Sequence, residues 1–163
     1  MQRQLNSIHY QYTFDPLIIF ILSLFTDLMS NLDNSINQKD SRGQVAVFLY
    51  RSPKKNHDAL VKINKHSHDF FKKHGVLKFE VFNLNSRENM MDFVNLSETI
   101  SANDDEDVWL EIQSYKDAKH VQQFMKAMEG DKSGDEMYKE FMELITPGSI
   151  VTFGDFSKLE QIS

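Results

Sequence analysis

The sequence predicts an α+β fold in which one sheet carries its helices on one face. Two observations lead to this prediction. Between residues 44 and 158, stretches with the alternation of strands and stretches of helical periodicity follow one another in the order β-α-β-β-α-α-β. This order describes a split β-α-β module. A hydrophobic content of 40% with thirteen Phe supplies a core for one domain of ordinary size.

The first half of the module is expected to hold two strands joined by a long amphipathic helix. Residues 45–50 are apolar or nearly so on both faces, which is typical of a central strand. The helix is predicted from Asn56 to His74, and Gly75 supplies the left-handed residue that ends it. Residues 77–83 form the second strand, in which Phe82 points away from the other apolar side chains.

The second half begins with a long connection, residues 85–107. This stretch is too apolar for a free loop, so Met91 to Thr99 is expected to include an irregular strand or a short packed segment. Val108 to Ile112 reads as the third strand, and two helices follow, the second opening at Asp135. Residues 150–156 alternate as the closing strand.

Residues 1–43 are expected to form an N-terminal extension to a domain over residues 44–163. The apolar run from Leu17 to Phe25 is much shorter than the ~20 residues that span a bilayer, so membrane contact is not favoured. Two explanations of this segment stay open. Either Met29 is the true start, or the run is a short helix that docks on the domain or on a membrane surface.

Composition excludes several classes of site. The chain has no Cys, which excludes disulfides, thiolate nucleophiles and Cys-based zinc or iron–sulfur centres, and is compatible with the cytoplasm. A net charge of −6 argues against nucleic-acid binding. The six glycines are dispersed and form no phosphate-binding loop, and no His, Asp or Glu spacing forms a ligand set. The sequence therefore predicts no metal and no cofactor.

Short stretches of the module resemble those of one family. They are His74–Glu80 at a helix-to-strand step, Asp105–Ile112 followed by Ser114–Ala118 around the third strand, and Phe153–Phe156 in the last strand. On these residues the chain resembles the uncharacterised YbaA-like family of the dimeric α/β-barrel superfamily, to which the antibiotic-biosynthesis monooxygenases belong. The resemblance extends from Gln44 to Lys158.

The resemblance implies a ferredoxin-like β-α-β-β-α-β subunit with an extra helix. It also implies a homodimer, because such subunits pair sheet against sheet and close a barrel. The superfamily includes cofactor-free monooxygenases, haem-degrading enzymes, isomerases and members with no known activity. No catalytic residue carries over, since the YbaA-like group has no agreed catalytic motif. The chain departs from the family in its polar stretch around Lys132 to Asp135 and in its N-terminal extension.

Two residues are candidates for acid–base chemistry. His66 lies at the edge of the apolar stripe of its helix, where a cavity between helix and sheet would open, whereas His68 falls on the solvated side. Glu111 is a carboxylate inside a predicted strand, and burial there would raise its pKa and let it act as a base. The alternative for Glu111 is a salt bridge with Arg51 or Lys78.

Three aromatic residues are candidates for ligand binding: Trp109, Tyr50 and Phe82. If the helices cover the face with Val108, the aromatic residues lie on the opposite side of the sheet. They are then either the core of a dimer interface or the wall of a ligand cavity. That side would form a large apolar patch made of Ala46, Phe48, Tyr50, Phe82 and Trp109.

These observations predict a homodimer that binds a small apolar or aromatic molecule. The alternative is a cofactor-free monooxygenase or isomerase that acts on a small organic substrate, with His66 and Glu111 in acid–base roles.

Overall fold

The computed structural model describes residues 42–129, 131–147, 149 and 152–159. The predictions made for residues 1–41, including the apolar run and the start at Met29, lie outside the described residues. The elements are β1 (Gln44–Pro53), a 3₁₀-helix (Lys54–Asn56), α1 (His57–Lys73), β2 (Lys78–Asn83), α2 (Leu96–Thr99), β3 (Glu106–Tyr115), α3 (Ala118–Met128), α4 (Lys132–Leu144) and β4 (Thr152–Ser157).

The four strands form one antiparallel sheet in the order β2-β3-β1-β4. The first strand is therefore central and pairs with the third and the fourth, as its apolar character on both faces predicts. This arrangement confirms the α+β prediction and is compatible with a ferredoxin-like fold. No helix among the described residues has both the length and the apolar character needed to cross a bilayer.

The strand register decides which side chains lie beneath the helices. Tyr50 pairs with Trp109, and Phe48 pairs with Glu111, and residues directly opposite one another share a face of the sheet. Tyr50 and Trp109 are 1% and 4% exposed because α1 and α4 cover them. The prediction that Trp109, Tyr50 and Glu111 occupy the uncovered side was therefore wrong. Both faces of β1 are apolar, and β3 carries its aliphatic residues Val108, Leu110 and Ile112 on the side away from the helices, so alternation favoured the wrong face.

Phe82 does lie on the uncovered face, but on the opposite side of the sheet from Tyr50 and Trp109. It pairs with Leu110, which pairs in turn with Leu49. The predicted patch that unites Phe82 with Trp109 therefore does not form. The apolar residues of this second face, here called the open face, are Val45, Val47, Leu49, Phe82, Val108, Leu110, Ile112 and Phe156, of which Val108 is buried.

The core beneath the helices consists of two clusters. The first joins the sheet to α1 and the end of α4, and the second joins the start of β2 to α3. Large aromatic side chains fill both clusters, which is why the helices cover this face of the sheet. The buried members are Tyr50, Leu60, Ile63, Trp109 and Ile145 in the first cluster, and Val76, Phe79, Tyr115 and Phe124 in the second.

Local signals place most helix ends as expected. Gly75 has φ +105°, the left-handed conformation predicted after α1. Asp117 caps α3 by accepting a hydrogen bond from the backbone N–H of His120 at 2.8 Å. The last helix begins earlier than predicted, because Asp131 and not Asp135 is its N-cap. Its carboxylate accepts from the backbone N–H of Ser133 at 3.1 Å.

The connection between β2 and β3 is ordered by hydrogen bonds to Asn95 and not by burial. The Asn95 amide donates to the carbonyls of Ser86 and Glu88 at 3.1 Å each, and its oxygen caps the single turn α2. In place of the irregular strand or packed segment expected within Met91–Thr99, the structure has an isolated β-bridge between Met90 and Phe93 and the single turn α2, in which Ser97 is buried. The apolar side chains exposed along this connection are Met90, Met91, Phe93, Val94 and Leu96.

Candidate functional site

A groove of about 430 Å³ opens on the helix side of the sheet, between α1 and the edge strand β2. The helix contributes positions i, i+3, i+4, i+7 and i+8, which face one side of an α-helix. The sheet contributes the side chains that alternate toward α1. The residues that line the groove are Val61, Asn64, Lys65, His68, Asp69, Phe79, Val81 and Trp109.

Asn64 lines this groove and has one unsatisfied polar atom. The residue is 7% exposed, and its Nδ2 donates to the Tyr50 hydroxyl at 3.2 Å. Its Oδ1 accepts no hydrogen bond from any residue that the structure describes, and this atom has almost no accessible surface. A buried acceptor without a donor costs about 1–3 kcal/mol of stability.

Trp109 forms a fixed wall of the groove. Its indole N–H donates to the Ser52 hydroxyl at 2.9 Å, which sets the plane of the ring. The ring stacks against Tyr50 with 6.4 Å between centroids, and His57 lies 5.1 Å from it on another side. His57 is itself held by Asp107, whose carboxylate lies 2.8 Å from its Nδ1. A ligand would therefore meet a wall whose position is set before binding.

A row of buried polar side chains continues along β3 beneath the helices. The Gln113 amide donates to Glu111 at 2.6 Å, and the Tyr115 hydroxyl donates to the Gln113 oxygen. Glu111 does not line the groove, but it pairs with Val81, which does, and it lies two residues from Trp109 on the same face. This row therefore brings an ionisable carboxylate close to the groove.

Burial raises the pKa of Glu111 to about 7, and the hydrogen bond from Gln113 offsets only part of that effect. A raised pKa is the direction that the sequence predicted for a carboxylate buried inside a strand. The alternative of a salt bridge with Arg51 or Lys78 was wrong, because both lie on the other face of the sheet. Arg51 pairs with Glu106 at 3.2 Å, and Lys78 pairs with Glu80 at 2.8 Å. Burial and the nearby charge of Glu111 also raise the pKa of Tyr50.

Of the three histidines of α1, His66 and His68 differ from expectation in their relation to the groove. His66 is exposed and does not line the groove. His68 is exposed, as predicted, but it does line the groove. The His68 ring meets Phe79 edge-on at 6.2 Å, and its Nδ1 lies 3.0 Å from a carboxylate oxygen of Asp69. The apolar side of α1 that the sequence predicted did not include Asn64. In the structure Asn64 is buried, so the side of α1 that faces the sheet lies closer to Asn64 than predicted, and His68 rather than His66 borders the groove.

A second pocket, of about 320 Å³, is polar and lies at the far end of β3. Its central carboxylate, Glu106, accepts hydrogen bonds from Arg51, from the backbone N–H of Asn103 and from Thr146. These donors lower the pKa of Glu106 despite its burial, and they hold the carboxylate in place. Within the described ranges, no cluster of three or more His, Asp or Glu side chains is placed to hold a metal ion.

A family model described as a protein of unknown function (DUF1428) matches residues 44–144, from the start of β1 to the end of α4. The chain belongs to this family. No curated protein matches the DUF1428 chain. The match agrees with the expectation of an uncharacterised family.

Sequence reasoning found Trp109 and Glu111 but missed Asn64 and Gln113. Asn64 is a polar residue directly after Ile63 on the buried side of a helix, and such a position is a signal for a functional polar group. Gln113 alternates with Glu111 along β3 and therefore shares its face. Both signals depend on choosing the correct face, which the sequence could not do.

Proposed function

We propose that this DUF1428 protein is a YbaA-like homodimeric α/β barrel of the cytoplasm that binds a small, largely apolar or aromatic molecule in the groove between α1 and β2. The observation that carries the proposal is the combination of apolar walls and polar side chains in one groove. Phe79, Val81 and Trp109 supply apolar contact on the sheet side, and the helix side supplies the polar side chains of Asn64, Lys65, His68 and Asp69. This combination is typical of small-molecule sites.

Homodimer formation is supported by the open face. Among the described residues, no helix covers this face, and Phe82 and Phe156 are 45% and 56% exposed on it. The connection between β2 and β3 reaches the same side, because Arg51 on that face donates to the carbonyl of Ser101. A second copy of the chain, placed sheet against sheet, would cover the open face and lie beside the apolar side chains of the connection.

The ligand proposal is tested with Trp109, which is the only tryptophan of the chain and lines the groove. Small aromatic alcohols and acids are titrated into the full chain while the tryptophan emission is recorded. We expect a saturable change that Val61→Phe abolishes, because the larger side chain fills the groove. Ala59→Phe is the matched control, since Ala59 is exposed on the same helix and does not line the groove. An unchanged emission with every compound would remove the groove as a binding site.

The second candidate function is a cofactor-free monooxygenase or isomerase. The observation that favours it is the position of Glu111 beside the groove with a pKa of about 7, which suits a general base near neutral pH. In an isomerisation, Glu111 would take a proton from one carbon of the substrate and return it to another. Glu111→Gln should then abolish turnover while leaving binding in place. Turnover that survives this change would remove Glu111 from the chemistry.

A further inference from the structure

The exposed apolar side chains of the protein are concentrated on one side of the sheet. Among the described residues, nine large hydrophobic side chains are exposed, and eight of them belong to the open face, to the connection between β2 and β3 or to the stretch directly after β4. Phe156 near the end of β4 and Leu159 after it form one group. The connection exposes a second group, which consists of Met90, Met91, Phe93, Val94 and Leu96.

These two groups lie at opposite ends of the sheet. The connection runs from Asn83 of β2 to Glu106 of β3, and Glu106 pairs with Pro53, the last residue of β1. Phe156 pairs instead with Val45, near the start of β1. The ten residues of β1 extend over about 30 Å. Neither group therefore covers the other within one chain. The end of the open face that carries Phe156 is here called the far end.

The connection is held in a fixed shape at its own end of the sheet. Val108 lies on the open face there and is 3% exposed, and the start of the connection forms a pocket with it. The Arg87 guanidinium donates to the carbonyl of Ala102 at 3.2 Å and so ties the two halves of the connection together. Met91 has φ +55°, a costly conformation for a residue with a Cβ, and such strain clusters at functional segments. An apolar segment of fixed shape loses little conformational entropy when it docks.

Two-fold symmetry allows two ways of placing one open face on another. If the axis runs parallel to the strands, the connections of both copies meet at one end of the interface. If the axis runs across the strands, the copies are antiparallel, and each connection lies at the far end of the partner's open face. Only the antiparallel placement brings the apolar side chains of the connection against those of the far end.

The charges of the connection favour the antiparallel placement. Residues 84–105 include one basic residue and five acidic ones, which are Glu88, Asp92, Glu98, Asp104 and Asp105. Two connections placed together would therefore repel one another, and like charges brought together oppose association. The far end has no such excess of acid, since Lys78 pairs with Glu80 at 2.8 Å on the open face there and Lys158 directly follows β4.

We propose that the connection between β2 and β3 is a docking arm for a second copy of the chain, and that it packs on the far end of that copy's open face. The copies are then antiparallel, and the interface contains two equivalent contacts between a connection and a far end. Both exposed apolar groups are covered at once. This arrangement rests on the proposed homodimer and names the surfaces that form it.

Disulfide trapping tests the arrangement in the full chain, which contains no cysteine of its own. Met91 and Leu159 are 85% and 59% exposed, so a cysteine at either position leaves the core intact. A chain that carries both Met91→Cys and Leu159→Cys is oxidised under mild conditions and separated by non-reducing electrophoresis. We expect at least about tenfold more covalent dimer than Met91→Cys alone gives, because antiparallel copies hold their two connections at opposite ends of the interface.

Leu77 provides the matched control for the second cysteine. It is 54% exposed and lies at the same end of the sheet as Leu159, but on the groove side. A chain with Met91→Cys and Leu77→Cys should form no more covalent dimer than Met91→Cys alone. Equal yields from the Leu77 and Leu159 pairs would show random collisions and overturn the docking arm.

The outcomes separate this inference from the proposed homodimer, because sedimentation velocity of the reduced chains reports the dimer independently. If the reduced chains are dimers and Met91→Cys alone links as well as the pair with Leu159→Cys, the copies are parallel and the docking arm is wrong. If the reduced chains are dimers and the pair does not link, the connection does not reach the far end and the inference is again overturned. Reduced chains that sediment as monomers would overturn the homodimer and the docking arm together.

Discussion

Glu111 shows at the scale of one residue how burial changes chemistry. The folded protein holds its pKa at about 7, above the ordinary value of 4.5. The folded state therefore binds more protons than the unfolded state between these values, so this group's contribution to stability falls as the pH rises through that window. The loss is on the order of 3 kcal/mol when the pH passes 7.

We expect Glu111→Gln to remove this pH dependence. The neutral amide keeps the shape of the side chain and can still accept the hydrogen bond from Gln113, but it does not ionise. Chemical denaturation at pH 5 and pH 8 measures the change in the free energy of unfolding. Glu80→Gln is the control, because Glu80 lies on the other face and pairs with Lys78. If Glu111→Gln and the native chain lose stability equally between these pH values, the buried carboxylate does not titrate as described.

The sequence could identify Glu111 as a candidate because a carboxylate is unusual inside a strand, and Trp109 because it is the only tryptophan of the chain. It could not place them beneath the helices, since the neighbouring residues Val108, Leu110 and Ile112 are also apolar. The choice of face depends on how well the helices pack over each side, and that is a property of several elements together. The same limit explains why Phe82 was grouped with the wrong partners.

At the scale of elements, Asp131 joins two helices. One carboxylate oxygen caps α4 through Ser133, and the other lies 3.2 Å from Lys73 and from His74 at the end of α1. The hydrogen bonds from Ser133 and Lys73 lower the pKa of Asp131 to about 2. The stabilisation from this carboxylate is therefore present above its ordinary pKa and is lost as the pH falls toward 2.

We expect Asp131→Ala to lower the Tm by several degrees, because the N-cap is removed together with the contact to α1. Asp131→Asn should lose less, since the amide oxygen still caps the helix. Circular dichroism melting at neutral pH compares the two variants. An equal loss from both would show that the charge, and not the cap, carries the effect.

Gly75 offers a test of the turn that leads from α1 into β2. Its φ of +105° is a conformation that residues with a Cβ rarely adopt. We expect Gly75→Ala to reduce the free energy of unfolding by about 1 kcal/mol or more. Gly43→Ala is the control, because an added Cβ there meets only ordinary contacts, the nearest at 3.6 Å. If Gly75→Ala lowers the free energy of unfolding no more than Gly43→Ala does, this account is contradicted.

Element boundaries were predictable where a residue type fixes the backbone, as Gly75 does at the end of α1. They were not predictable where two acidic residues compete to cap one helix. Both Asp131 and Asp135 precede apolar residues with helical spacing, and the cap falls on Asp131, whose carboxylate also reaches the end of α1. The contact between Asp131 and the end of α1, which are distant in the sequence, therefore decided which residue caps α4.

At the scale of the whole molecule, the order of the elements in the sequence predicted one sheet with helices on one face. It did not predict which face of the sheet the helices leave uncovered. The open face and the connection beside it expose apolar residues on one side of the sheet. We expect the chain to sediment as a dimer at micromolar concentration. Phe82→Glu should shift it to a monomer, because a carboxylate on each copy cannot be buried without a partner.

Leu77→Glu is the matched control for this change, since Leu77 is 54% exposed but precedes β2 on the groove side of the sheet. Sedimentation velocity of the three chains gives the comparison. A native chain that sediments as a monomer would contradict the dimer proposal, and so would a dimer that Phe82→Glu leaves intact.

The central claim is that the groove between α1 and β2 binds a small aromatic molecule. The most direct measurement is NMR of the isotopically labelled chain during addition of 4-hydroxybenzoate. The account predicts saturable shifts of the Asn64 side-chain amide, the Trp109 indole N–H and the methyl groups of Val61 and Val81. Shifts confined to the open face or to the connection between β2 and β3, with these groove signals unmoved, would contradict it.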